Sequence, residues 1–324
     1  MALSVRRVHP DETPGYRRVR AGRGFRYETD TGHSVSDEER ARIAALVIPP
    51  AWRDVWICAD AAGHVQALGT DAAGRRQYLY HPGWRARRDR GKFTRALELA
   101  ATLPHARRRV TITLRECGDE RSHVLAAAFR LLDTGAPRIG SARYLERHGS
   151  RGLTTLQRRH ATIAGTVVTL SFTGKARKRA LIEIDDEDLA AAVRNLIDGR
   201  ATGTLLAYRD GRRRVPLTPR DVNDHVRELT AGMYTAKDFR TLHGTIVAAT
   251  TLAQLGPVSS KKDRRDAERF AVRATATALG NTEAVARSSY IDPRVFSRYR
   301  RGDVMDLSRA PESAVRALLT GRER

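Results

Sequence analysis

Val167-Val168-Thr169-Leu170-Ser171-Phe172-Thr173-Gly174-Lys175, followed shortly by Ala180-Leu181-Ile182-Glu183-Ile184, is the stretch that decides the architecture. Two runs rich in β-branched and apolar residues flank a short polar tip, which predicts a hairpin with Thr173-Gly174-Lys175 near its end. Residues 185–188 then supply negative charge at the start of a helix that ends near Gly199. Downstream, Thr218-Pro219-Arg220-Asp221 is a helix start, with Thr as cap and Pro at the first helical position. Residues 236–255 and 266–279 are long helical stretches, and 93–101 and 123–132 show helical spacing upstream.

Before residue 83 the pattern changes. Val55-Trp56-Ile57-Cys58, residues 63–69 and Gln77-Tyr78-Leu79-Tyr80 read as short strands. Ser36-Asp37-Glu38-Glu39 has the form of a capping box, so a helix begins there and runs to about Val47, where Pro49-Pro50 stops it. Residues 1–35, polar and rich in Gly and Arg, read as partly irregular. His81-Pro82-Gly83 reads as a junction. The expectation is an α+β chain, with a small antiparallel-sheet domain over 1–82 and a larger, mainly helical domain with a hairpin or small sheet over 83–324.

The 324 residues carry 59 Lys and Arg against 37 Asp and Glu, a net charge of +22. A charge of that size points to a polyanion, most commonly nucleic acid, although a ribosomal or acidic-lipid partner fits the charge equally. The basic residues run along the whole chain and are not collected in a tail. Only six are Lys (92, 175, 178, 237, 261 and 262). Arg cannot release its proton near neutral pH, whereas Lys can, so a Lys at an acid position is informative in this chain. There is no run of 18 apolar residues and no apolar stretch within residues 1–20, so neither a membrane span nor a secretory signal is expected. Two Cys, Cys58 and Cys117, are too few for a disulfide framework or a zinc site, and a reducing compartment follows.

Several phrases carry chemistry: Pro137-Arg138-Ile139-Gly140 with Tyr144, Phe172-Thr173-Gly174-Lys175, Lys237-Asp238-Phe239-Arg240-Thr241, and Leu279-Gly280-Asn281 before Ser288-Ser289-Tyr290. Thr154-Thr155-Leu156 with His160, Ile48-Pro49-Pro50-Ala51-Trp52 and Gly74-Arg75-Arg76-Gln77-Tyr78 add to them. Together they resemble the type IB DNA topoisomerases, in the compact poxvirus and bacterial branch, over residues 40–300 or so. The resemblance implies a C-shaped clamp around double-stranded DNA and relaxation of supercoils through a 3′-phosphotyrosyl intermediate. It implies no metal, cofactor or ATP, no obligate protein partner, a monomer, and a cytoplasmic, nucleoid-associated location. It implies Tyr290 as nucleophile, Arg138 and Arg240 on the non-bridging oxygens of the scissile phosphate, and Lys175 as the acid for the departing 5′ oxygen. Gln77, Tyr78, Tyr80, Arg75 and Arg76 would touch DNA from the N-terminal domain, and Tyr144 and His160 would approach the backbone.

The departure from the family lies at Asn281. Most of the family has His nine residues before the Tyr; here 290 − 281 = 9, and the residue is Asn. Its NH2 can donate to a phosphoryl oxygen but cannot shuttle a proton. Asn281 also fits a helix N-cap after Gly280, Lys175 a solvated tip, Tyr290 a core position, and Tyr78 with Tyr80 ordinary cross-strand packing. Two rival readings remain. A tyrosine recombinase shares the Tyr, Arg and Lys chemistry but carries His three residues before its second Arg, where this chain has Lys237. A non-catalytic basic nucleoid protein explains the charge but not the ordered phrases.

Overall fold

The computed structural model describes residues 5–321 apart from Asp11, Ala73 and Cys117. The chain divides into two compact units, Met1–Gly91 and Lys92–Arg324. The first contains β1 (Gly15–Ala21), β2 (Gly24–Thr29), α1 (Asp37–Ala45), β3 (Arg53–Cys58), β4 (Val65–Thr70) and β5 (Arg76–Tyr80). Its five strands form one sheet in the order β2-β1-β3-β4-β5, with every neighbouring pair antiparallel. Ser36 caps α1 by accepting from the Glu39 amide at 3.2 Å. The Glu39 carboxylate pairs with Arg42 at 2.8 Å. Ile43 of α1 packs with Val35, Val55, Ile57 and Ala67 in a small core. Cys58 is buried, and burial pushes its thiol up from the ordinary value; Cys117 lies outside the described residues.

Residues 1–35, read as partly irregular, also hold β1 and β2, which the sequence reading did not single out and which pair from Tyr16↔Thr29 to Ala21↔Gly24. Tyr16, Val19, Phe25 and Tyr27 are diluted by arginines, which hides the strand pattern in the sequence. Arg18 belongs to the fold nonetheless: its guanidinium lies 4.2 Å from the Phe25 ring centroid and donates to Pro49 O at 3.1 Å.

The helix α2 (Pro82–Arg115) follows, and the division between the units falls within it. The second unit continues with α3 (Glu120–Gly135), α4 (Ala142–His148), β6 (Ala161–Ala164), β7 (Val167–Thr173), β8 (Arg179–Asp185), α5 (Glu187–Ile197), β9 (Ala207–Asp210) and β10 (Arg213–Pro216). It ends with α6 (Pro219–Thr230), α7 (Ala236–Leu255), α8 (Lys261–Leu279), α9 (Glu283–Ser289), α10 (Pro293–Tyr299) and α11 (Pro311–Thr320). The expected hairpin is β7 paired with β8, and β6 adds a third antiparallel strand. Val168, Leu170 and Phe172 alternate inward from β7, as a half-buried strand requires. The core gathers α2, α3 and α7 around Phe129 and Phe239, whose rings meet edge to face at 5.4 Å. The basic run 261–265, open in the sequence, forms the first turns of α8, capped by Ser260. The described residues contain no helix long and apolar enough to cross a membrane.

Candidate active site

Separate segments of the second unit converge on a cleft of about 380 Å³ lined by Arg138, Tyr144, Lys175, Lys237, Arg240 and Tyr290, among others. Local geometry sets each one. Arg138 follows α3, which ends at Ala136 in the left-handed region (φ 43°). The next residues cross the 152–154 segment closely: Leu153 N donates to Arg138 O at 2.8 Å and Thr154 N to Ile139 O at 2.9 Å. A Cβ on Gly152 would stand 2.4 Å from Arg138 O, so the crossing requires glycine there. Lys175 is exposed at the tip between β7 and β8, at the start of a 3-10 turn.

Arg240, in the second turn of α7, is 5% exposed. Its Nη1 donates to Ala136 O at 2.6 Å and its Nη2 to Leu279 O at 2.8 Å. Both partners are neutral, and its Nε has none. A buried guanidinium with no carboxylate partner is costly, and the cost falls when an anion arrives beside it. Tyr290 caps the C-terminal end of α9, with the Arg240 guanidinium 5.0 Å from its ring centroid. Burial raises the phenol's pKa, but the charges of Arg240, Arg138 and Lys237 outweigh it, and the net shift is downward. Burial and the charge of Arg240 likewise lower Arg138.

Asn281 is not a helix N-cap. Gly280 closes α8 in the left-handed region (φ 58°), and the cap of α9 is Thr282, which accepts from Val285 N at 3.3 Å. Arg138 Nη2 donates to Asn281 Oδ1 and reaches Gly280 O at 3.2 Å. Because a guanidinium only donates, the amide atom facing it is the oxygen. The Asn281 NH2 is therefore directed elsewhere, and it is buried without a partner.

The structure thus brings Arg138, Lys175, Arg240, Tyr290 and Tyr144 to one cleft, with Asn281 in contact with Arg138. His160 is not among the cleft's lining residues; its Nδ1 accepts from Gln157 N at 2.9 Å, and burial followed by the charges of Arg151 and Arg159 lowers its pKa. Lys237 and Arg151 also line the cleft and were not singled out as site residues. Lys237 stands in the Lys-Asp-Phe-Arg phrase, which is the signal that could have found it. In the first unit, Tyr78 and Tyr80 project from one face of β5 and stack at 6.0 Å with planes 16° apart. Gln77 Nε2 donates to Asp71 at 2.9 Å, and Arg75 pairs with the same carboxylate at 2.7 Å. Arg76 is exposed at the start of β5.

The family model for eukaryotic DNA topoisomerase I, catalytic core, matches residues 81–302. The chain belongs to the type IB DNA topoisomerases. A second model, for the N-terminal domain of bacterial DNA topoisomerase IB, matches residues 24–71. The DNA topoisomerase 1B of Acanthamoeba polyphaga mimivirus is 25% identical over 308 residues, covering 90% of this chain and 92% of its own. The topoisomerase is thus an isomerase with DNA as its substrate, and these matches favour neither the recombinase nor the non-catalytic binder.

Proposed function

We propose that this type IB topoisomerase relaxes supercoiled duplex DNA as a monomer in the nucleoid, with its chemistry in the cleft of the second unit. The Tyr290 phenol gives up its proton to solvent and its oxygen attacks the scissile phosphorus, the P–O5′ bond breaks, and a 3′-phosphotyrosine forms. Arg138, Arg240 and the Asn281 NH2 donate to the non-bridging oxygens, where charge builds in the transition state. Lys175 hands a proton to the departing 5′ oxygen. The freed 5′-hydroxyl end swivels about the intact strand, then attacks the phosphotyrosine and reseals it. One ester replaces another, so the cycle consumes no ATP, and the fixed cations supply the charge stabilisation on which phosphoryl transfer depends.

The observation that supports this reading is the convergence of Arg138, Lys175, Arg240 and Tyr290, from four segments distant in sequence, on one cleft. Gln77, Tyr78, Tyr80, Arg75 and Arg76 are proposed as DNA contacts of the first unit, with Tyr144 and His160 near the backbone. A net charge of +22 suits phosphate contacts, which position a protein without reading bases. The test is relaxation of negatively supercoiled plasmid in EDTA without ATP, comparing the native protein with Tyr290→Phe. Relaxation by the native protein alone is expected. If both proteins shift the plasmid on a gel and neither relaxes it, the assigned chemistry is wrong.

A further inference from the structure

We infer that Glu268 is a positioning residue for the nucleophile, a buried carboxylate that fixes both flanks of the segment carrying Tyr290. The inference rests on the reading of Tyr290 as nucleophile.

Glu268 lies on α8 and is 5% exposed. Carboxylates are seldom buried to that degree without a paired role. Its Oε1 accepts from Arg300 Nε at 2.7 Å and its Oε2 from Arg300 Nη2 at 2.8 Å, the two-pronged arrangement that fixes a guanidinium in direction as well as distance. Oε2 also accepts from Arg287 Nη2 at 3.4 Å. Arg287 stands three residues before Tyr290 on α9, and Arg300 stands ten residues after it, as the C-terminal cap of α10. One side chain therefore grips the short helix-turn-helix on both sides of the tyrosine that it presents. Arg287 further lies 4.7 Å from the Phe296 ring centroid on α10, and Arg264 of α8 donates to Arg300 O at 3.2 Å.

The same helix holds the phosphate-binding arginines. Leu279 O, at the C-terminal end of α8, accepts from Arg240, and Gly280 O, just past it, accepts from Arg138. Glu268 and Leu279 are 279 − 268 = 11 residues apart, about three turns, so they share one face of α8. The helix is thus a ruler between the two halves of the reaction: its end sets the guanidiniums, and Glu268 sets the segment that delivers the phenol. Reacting atoms misplaced by about 1 Å cost on the order of 100-fold in rate. In the covalent intermediate the DNA end hangs from Tyr290 while the duplex swivels, so the segment also has to hold against torque.

Arg287 and Arg300 side chains are 49% and 54% exposed, so losing the carboxylate does not strand them in a dry interior. The experiment is single-turnover covalent capture of a duplex whose cleaved end diffuses away, at saturating DNA, for native protein, Glu268→Gln, Glu268→Ala and Glu268→Asp. Duplex affinity and thermal melting are read on the same proteins. Expected is a loss of at least 30-fold in the capture rate for Glu268→Gln, with affinity within threefold of native and melting well above the assay temperature. Glu268→Asp, which keeps the charge one methylene short, is expected to recover part of the rate. Adding Arg287→Ala and Arg300→Ala to Glu268→Gln is expected to cost little more. A Glu268→Gln capture rate within threefold of native overturns the inference, as does a Glu268→Gln protein unfolded at the assay temperature, which would make Glu268 a stability residue. If native protein forms no adduct, or Tyr290→Phe still forms one, the reading of Tyr290 fails instead.

Discussion

Arg138 and Asn281 are joined by a hydrogen bond from Arg138 Nη2 to Asn281 Oδ1, which commits the amide oxygen to the arginine and leaves the buried NH2 without a partner. The oxygen is thus committed to Arg138, and in the chemistry proposed above the NH2 is the end that would donate to a phosphoryl oxygen. Asn281→Ala loses both and is expected to slow single-turnover cleavage by roughly 100- to 1,000-fold, the usual consequence of removing one transition-state donor. Asn281→Asp is the sharper variant. It keeps an acceptor for Arg138 but replaces the donor with negative charge beside the phosphate, so it should be at least as slow as Asn281→Ala. Asn281→His retains a donor and should stay active. A fast Asn281→Asp enzyme would remove the NH2 from the mechanism.

The pH response follows from Arg240 and Tyr290. Burial raises the phenol, and the charges of Arg240, Arg138 and Lys237 more than offset it, so Tyr290 should lose its proton below the ordinary phenol value of about 10. Because its folded-state pKa is depressed, the stability Tyr290 contributes is full above the unfolded value and is lost as pH falls through the folded one. Ultraviolet phenolate absorbance, taken as native minus Tyr290→Phe, should show one tyrosine titrating early. Arg240→Ala removes the strongest lowering influence and should move that titration up. A Tyr290 signal at or above the free-phenol value would contradict the electrostatic account.

Gly244 predicts a separation of stability from activity. A Cβ there would meet Tyr290 O at 2.7 Å and Tyr290 Cβ at 2.8 Å, so Tyr290 packs on α7 because this position, one turn past Arg240, has no side chain. Thr245 continues the contact, its hydroxyl accepting from Asp292 N at 3.1 Å. Inside a helix, Gly→Ala otherwise stabilises by about 0.5–1 kcal/mol. That gain offsets only part of the cost of displacing the Tyr290 backbone, so Gly244→Ala should lower melting modestly and keep duplex affinity while covalent capture falls at least tenfold. Unchanged capture would mean that the Tyr290 segment yields without functional cost.

The same contrast explains what the sequence discloses. The β7–β8 hairpin is legible because its inward alternation of Val168, Leu170 and Phe172 is uninterrupted, and α6 and α7 are legible from their caps and apolar spacing. β1 and β2 are not, because an arginine such as Arg18 buries its stem on Phe25 and satisfies backbone carbonyls, which composition reads as a solvated loop. The helical spacing read over 93–101 stops short of Pro104, yet α2 runs through it, since Leu103, Ala106, Val110 and Leu114 carry a buried stripe past the proline. At the site, Arg138, Lys175, Arg240 and Tyr290 announce themselves through the phrases around them. Gly244 and Glu268 are visible only once α7 and α8 are folded, because their roles consist of contacts with residues distant in the chain.

Lys175 gives the last test. It stands exposed on the β7–β8 tip, lining the same cleft as Tyr290. As the proton donor to the departing 5′ oxygen, it should contribute roughly 100- to 10,000-fold to cleavage. That contribution depends on the leaving group: an alkoxide needs a proton, whereas a thiolate leaves without one. Lys175→Ala should therefore be slow on ordinary duplex DNA and recover most of the native rate on a duplex with sulfur in place of the bridging 5′ oxygen. Asn281→Ala, whose defect lies on the non-bridging oxygens, should show no such recovery on the same substrate. If sulfur rescues neither variant, Lys175 acts as a phosphate-binding cation and the proton comes from another group at the cleft.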